Sequence, residues 1–111
     1  MIIIIINKSS KFKSDYKKLQ KKYMYREEER LMKIVDLLIE SDNMKELILN
    51  PLHNVYNIEQ KKGNLKEIYT ADLNSKLRLY MKPCAEYPYI NLEEIVEIDF
   101  IKIDDKHYGE G

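Results

Sequence analysis

Apolar and polar residues alternate without a break along Leu77-Arg78-Leu79-Tyr80-Met81-Lys82. Successive side chains of an extended strand point to opposite faces. The stretch therefore predicts a strand with Leu77, Leu79 and Met81 toward a core and Arg78, Tyr80 and Lys82 together on the other side. The first third of the chain has a different period. Phe12, Tyr16, Leu19 and Tyr23 recur at steps of four, three and four, the stripe of one helix, with Ser9 or Ser10 placed to cap it. A second helix is predicted from about Arg26, with Leu31, Ile34, Val35, Leu38 and Ile39 on one face and Glu27 and Glu28 at its positive end. Ser41-Asp42-Asn43 breaks or frays it, Met44 to Leu49 adds another turn or so, and Asn50-Pro51 ends it.

The remaining elements are extended. Ile2 to Ile6 reads as a buried strand at the N-terminus, and Leu52 to Val55 leads into a polar turn over Glu59 to Asn64, where Gly63 can take unusual backbone angles. Leu65 to Thr70 and Leu77 to Lys82 form a hairpin around the turn Asp72 to Lys76, and Pro83 to Pro88 is a loop. Glu94 to Ile103 is a last long strand in which Val96, Ile98 and Phe100 share a face. The order is strand, two antiparallel helices, then a three-stranded antiparallel meander. This is an α+β domain with the helices packed on one face of the sheet and the other face open.

Size and composition narrow the class. At 111 residues, with 44% apolar and 34% charged side chains, the chain is expected to fold as one soluble domain over 1–111. The isoleucine run has no basic segment before it and is too short for a signal peptide, so the cytoplasm is the expected location and no membrane partner is expected. Cys84 is the only cysteine, which excludes an internal disulfide and a cysteine cluster for a structural metal. Formal net charge is zero, yet Lys8, Lys11, Lys13, Lys17, Lys18, Lys21 and Lys22 crowd the first segment. Local field matters more than the sum when a polyanion approaches.

The candidate chemistry is reached partly by exclusion. His53 and His107 lie far apart without a ligand motif, so no metal is expected. The few glycines, Gly63, Gly109 and Gly111, form no phosphate loop, which removes nucleotide-dependent kinases and dehydrogenases; no cofactor is expected. No serine sits in a nucleophile elbow. What remains is Arg78, Tyr80 and Lys82 on one strand, His107 and Tyr108 just past the last strand, and His53 before the sheet. RNA cleavage by its own 2′-hydroxyl needs a base, an acid for the leaving oxygen and positive charge at the phosphorane. Histidine serves either proton role near neutral pH, arginine offers a forked donor, and aromatic rings hold an unstacked base.

With these residues in view, the chain resembles toxins of the RelE/ParE superfamily, nearest to the HigB-like branch of type II toxin-antitoxin proteins. The resemblance rests on the element order, Leu52-His53 with Val55, the Lys61-Lys62-Gly63 turn, Leu77-Arg78-Leu79, and a terminal strand closing in Asp105-Lys106-His107. It implies a ribosome-dependent mRNA endoribonuclease that inhibits translation and is neutralised by a helix-turn-helix antitoxin. It also implies that Arg78 stabilises the cleaved phosphate, that His53 is the histidine of the Leu-His segment, and that Asp105 and His107 carry over from the family's Asp-Tyr-His. Lys106 stands where that motif has tyrosine, and Tyr108 lies two positions on.

The expected site is then Arg78 on the scissile phosphate, His107 as general acid or base with help from His53, Asp105 orienting His107, and Tyr108 beside them. Lys61, Lys62 and Lys82 are expected as phosphate contacts and Tyr80 as an RNA-binding ring; the partners are mRNA, the ribosome and the antitoxin. The alternative is a binding module on the same scaffold, either a gyrase-directed toxin of the ParE kind or a degenerate antitoxin-binding protein.

Overall fold

The computed structural model describes residues 4–22 and 25–105. Its elements are β1 (Ile5–Lys8), α1 (Ser10–Lys22), α2 (Tyr25–Glu40), α3 (Met44–Leu49), α4 (Leu52–Val55), β2 (Glu59–Gln60), β3 (Tyr69–Asp72), β4 (Leu77–Pro83) and β5 (Glu97–Asp105). The strands form one mixed sheet in the order β1-β5-β4-β3-β2, with β1 parallel to β5 and the other pairs antiparallel. The α+β architecture with a meander is as the periodicity predicts. No helix among the described residues is long and apolar enough to cross a membrane.

Helix α1 starts where Ser9 Oγ accepts the N–H of Phe12 at 3.0 Å, a side-chain cap on one of the orphan donors of the first turn. Its stripe buries Phe12 and Leu19 and half-buries Tyr16. Helix α2 buries Leu31, Ile34 and Leu38, with Val35 at the margin. It turns slightly from the expected face: Leu37 is buried while Ile39 is 40% exposed. The residues against these helices are Leu77, Leu79 and Met81 of β4, Ile98, Phe100 and Ile103 of β5, and Ala71 of β3.

Several expectations change at the margins. Met44–Leu49 is a separate helix: Asn43 is extended and its side chain accepts the N–H of Glu46 at 3.0 Å, a new N-cap in place of a frayed continuation. The isoleucine run is not a fully buried strand. Ile4 is buried, but β1 is an edge strand and Ile5 is 53% exposed; Ile2 and Ile3 lie outside the described residues. A strand expected over Leu65 to Thr70 is shortened to Tyr69–Asp72, because a 3₁₀ turn occupies Gly63–Leu65 and Gly63 takes φ +65°. An added short strand, β2, pairs with β3 through Glu59 and Gln60.

A bulge in β5 decides what the far face of the sheet carries. Tyr80 pairs with Lys102 and Met81 with Phe100, so Ile101 has no partner and the strand changes face across it. Phe100 and Ile103 both reach the core, three positions apart, and Lys102 and Asp104 join the face of Arg78 and Tyr80. The start of α1 satisfies the disturbed backbone. Ser9 donates from its N–H to Phe100 O at 3.1 Å and from its hydroxyl to Ile101 O at 2.7 Å. The N–H of Ile103 donates to the buried carboxylate of Asp15 at 3.0 Å.

Candidate functional site

The face opposite the helices is organised in cross-strand rows. Asp72 of β3, Arg78 of β4 and Asp104 of β5 are register partners in one row; Thr70, Tyr80 and Lys102 form the next. Directly opposed side chains on one face of an antiparallel pair lie close enough to interact. Arg78 Nε is 3.7 Å from Asp72 Oδ1, with the two side chains 13% and 18% exposed. Asp104 is in turn 3.3 Å from the Lys102 ammonium through Oδ2 and accepts the N–H of Asp105 at 2.8 Å through Oδ1. The row thus places one guanidinium between two carboxylate-bearing positions.

Tyr80 keeps the expected face but not the expected exposure. It is 2% exposed, its ring lies under the Lys102 ammonium at 4.7 Å from the centroid, and its hydroxyl donates to Asp105 O at 3.3 Å. The bulge contributes to this cover by bringing the long Lys102 side chain across from the ring. The ring on which a base was expected to stack is covered.

The lysines differ among themselves. Lys61 is buried and its Nζ is 3.1 Å from Glu59 Oε1, so the position expected among the phosphate contacts is an internal ion pair. Lys62 is exposed, and Lys82 is half-exposed with Glu67 at 3.9 Å. His53 is half-buried on α4, its Nδ1 3.2 Å from the carbonyl of Asn50 in the same turn. Asp105 closes β5 opposite Leu77 and so shares the helix-side face of Leu77, bordering a cleft with Lys11 and Lys18; alternation along β5 sets it on the other face from Arg78, where the expected site did not put it. His107 and Tyr108 lie outside the described residues.

Three residues of this corner were not singled out from the sequence. The sequence places Asp72 in a turn, yet a hairpin centred on Ser75 pairs it with Arg78. Asn57, in the left-handed region at φ +52°, donates from Nδ2 to Asp72 Oδ2 at 3.0 Å. Arg30 of α2 donates from Nε to Asp72 O at 2.6 Å and from Nη2 to Val55 O at 2.8 Å, with its guanidinium 4.9 Å from the centre of the Tyr56 ring. A cleft of about 720 Å³ beside them is lined by Arg26, Arg30 and Lys33 of α2, Tyr56, Asp72 and Asn74 among others. The strand pairing was the available signal for Asp72; Asn57 and Arg30 reach it only through tertiary contact.

Cys84 belongs to none of this. Its thiol donates to Asp99 Oδ1 at 3.3 Å, and burial together with the Asp99 carboxylate pushes its pKa up to about 11. At neutral pH it is protonated, the state that makes a poor nucleophile.

Solved structures share the fold that carries these residues. A histidine-to-glutamine variant of YafQ from E. coli superposes with a TM-score of 0.64 at 19% identity, covering 93% of each chain. The E. coli DinJ–YafQ toxin-antitoxin complex gives 0.61 at 21%, covering 94% of this chain and 93% of that one. A YoeB/ParE toxin from Agrobacterium tumefaciens gives 0.62 at 10%, covering 94% of this chain and all of that one. The chain has the fold of these toxins. No protein-family model matches the sequence, and no curated protein sequence does. The likeness lies in the arrangement of elements, with at most about a fifth of positions identical in these three.

Proposed function

We propose that the chain is the toxin of a type II toxin-antitoxin pair, of the HigB-like branch, and that it is an endoribonuclease acting on mRNA at the ribosome in the cytoplasm. The observation that carries the reading is the toxin fold, matched over more than nine-tenths of both chains by YafQ. Arg78 supports it from within that fold. It sits on the sheet face away from the helices, and its register partner Asp104 comes one residue before Asp105, where β5 ends. The sequence puts His107 two residues further on.

In this reading Arg78 faces the scissile phosphate and stabilises the charge that builds on it. His107 moves the proton with help from His53, Asp105 orients His107, and Tyr108 completes the group. Lys62 and Lys82 contact flanking phosphates. The antitoxin, with a helix-turn-helix domain for DNA, would cover a groove of about 430 Å³ between α1 and α2. That groove is lined by Phe12, Tyr16, Leu31 and Met32 and rimmed by Lys8, Lys13 and Lys17, a surface suited to an acidic amphipathic segment. The DinJ–YafQ complex shows that a protein of this fold takes an antitoxin partner.

A second reading is favoured by the pairing of the cations. Arg78 lies beside Asp72, Lys61 beside Glu59 and Lys82 near Glu67, which lowers the local field available to RNA. This suits a ParE-like, gyrase-directed or purely antitoxin-binding module. One experiment separates the two. Induced in a bacterial host, the wild-type chain is expected to stop growth and to cut messages at codon-phased positions mapped by primer extension, while Arg78→Ala with His107→Ala does neither. Intact messages with a rising DNA-damage response, or arrest that persists in the double variant, would overturn the nuclease reading.

A further inference from the structure

We infer that Asp72 is the positioning residue for Arg78, and that Asn57 and Arg30 hold Asp72 in place to do it. The inference rests on the nuclease reading above and names a part of its machinery outside the expected site. A carboxylate beside a guanidinium can either hold the cation in one orientation or occupy it in place of a substrate phosphate, and the surroundings of Asp72 distinguish these roles. Its backbone N–H donates to Tyr56 O at 2.8 Å and its carbonyl accepts from Arg30 Nε at 2.6 Å. Its Oδ2 accepts from Asn57 Nδ2 at 3.0 Å, while Oδ1 faces Arg78 Nε. A group gripped at its N–H, its carbonyl and its far oxygen is built to stay. A displaceable mimic of phosphate would need room to swing.

The side of the guanidinium that Asp72 approaches is also informative. The carboxylate approaches Nε at 3.7 Å, longer than a hydrogen bond, so it acts on the guanidinium from the stem side as a fixed charge. Both side chains are largely withdrawn from water, where orientation by a fixed charge is least screened. Asn57 adopts a left-handed backbone that is unfavourable for most residues, and asparagine is among the side chains that tolerate it. Its side chain holds Asp72 across the strand end.

The test uses the full chain in a translating extract, with Asp72→Asn as an isosteric change that removes the charge. Message cleavage is expected to fall about tenfold to a hundredfold in kcat with KM for the programmed ribosome little changed, the mark of a misaimed transition-state contact. In an Arg78→Ala background the same substitution is expected to add nothing, because it acts only through Arg78. Asn57→Gly, which keeps the backbone angle and loses the amide, is expected to show a smaller fall of the same kind. A nitrogen-15 NMR spectrum supplies a reading independent of activity: a resolved, slowly exchanging Arg78 Nε–H resonance in the wild type that is lost in Asp72→Asn. A wild-type or raised rate in Asp72→Asn, an equal loss with and without Arg78, or an Arg78 resonance indifferent to Asp72 overturns the inference. If the wild-type chain cuts no message, the nuclease reading fails by itself, and the spectrum still decides whether Asp72 holds Arg78.

Discussion

Asp15 and Asp72 are both carboxylates drawn out of water against the sheet, and they hold different things. Asp15, on the helix side, takes a backbone N–H of β5 at the bulge and the Lys11 ammonium at 2.8 Å, and this hydrogen bond raises the Lys11 pKa. Asp72, on the opposite side, faces a side chain, Arg78, and is held by a second arginine and an asparagine. The first contact secures the path of the chain. In the proposed site the second sets the direction of one cation. A buried charge that binds backbone stabilises a fold, whereas one that binds a functional cation stabilises a geometry, and the two should fail in different ways.

The largest effect is expected at Arg78. Arg78→Ala should remove message cleavage by about a thousandfold, the scale of losing a donor to transition-state charge. Because Asp72 would be left without its guanidinium partner, the same change should cost roughly 3 kcal/mol of stability, measured by urea unfolding. Cleavage retained within threefold would place the chemistry elsewhere.

Asp99 offers an intermediate case, a carboxylate facing a thiol. With the Cys84 pKa at about 11, the thiolate population at pH 8 is about a hundredfold below that of an ordinary thiol near 9, so alkylation by iodoacetamide should be slower by about that factor. The folded pKa lies above the unfolded one. Stability from the protonated thiol is therefore present below about pH 9 and lost as pH rises through 11. In Asp99→Asn the alkylation rate should rise; an unchanged rate would show that the carboxylate is not part of the cause.

At Asp15 the expected effect is on stability alone. Asp15→Ala strands the Ile103 N–H at a cost of about 2 kcal/mol, a fall in Tm of about 8 °C, while the cleavage rate per folded molecule stays as it was. Loss of rate without loss of Tm would erase the contrast with Asp72. The smallest effect is expected at Lys61. Glu59 is 46% exposed and stays solvated without its partner, while the apolar stem of methionine keeps the buried volume filled, so Lys61→Met should shift stability by less than about 1 kcal/mol and leave cleavage intact, unlike Lys62→Met. A clear loss of cleavage in Lys61→Met would restore Lys61 to the phosphate contacts.

Much of the fold was legible in the sequence because the signals are local. The four-three stripe of Phe12, Tyr16 and Leu19 and the alternation from Leu77 to Lys82 state which side of each element is apolar, whatever it packs against. The short elements were less legible. Asn43 capping a new helix, and a 3₁₀ turn at Gly63 cutting into the predicted strand, depend on a single side chain or backbone angle. Of the site, Arg78 could be placed on its face, but not its neighbours. Arg30 comes to Asp72 from 42 residues away along the chain.

What the sequence determined alone is the class of fold and the identity of the side facing the core, since hydrophobic period is written residue by residue. The tertiary structure decided what shares the other side with Arg78. A strand's side chains alternate strictly, so one unpaired residue, Ile101, reverses every position beyond it. Strict alternation from Phe100 would have sent Lys102 and Asp104 toward the core; the bulge delivers them beside Tyr80 and Arg78 instead. That bulge is held by Ser9 and Asp15 from the far end of the chain, a contact that no local pattern records.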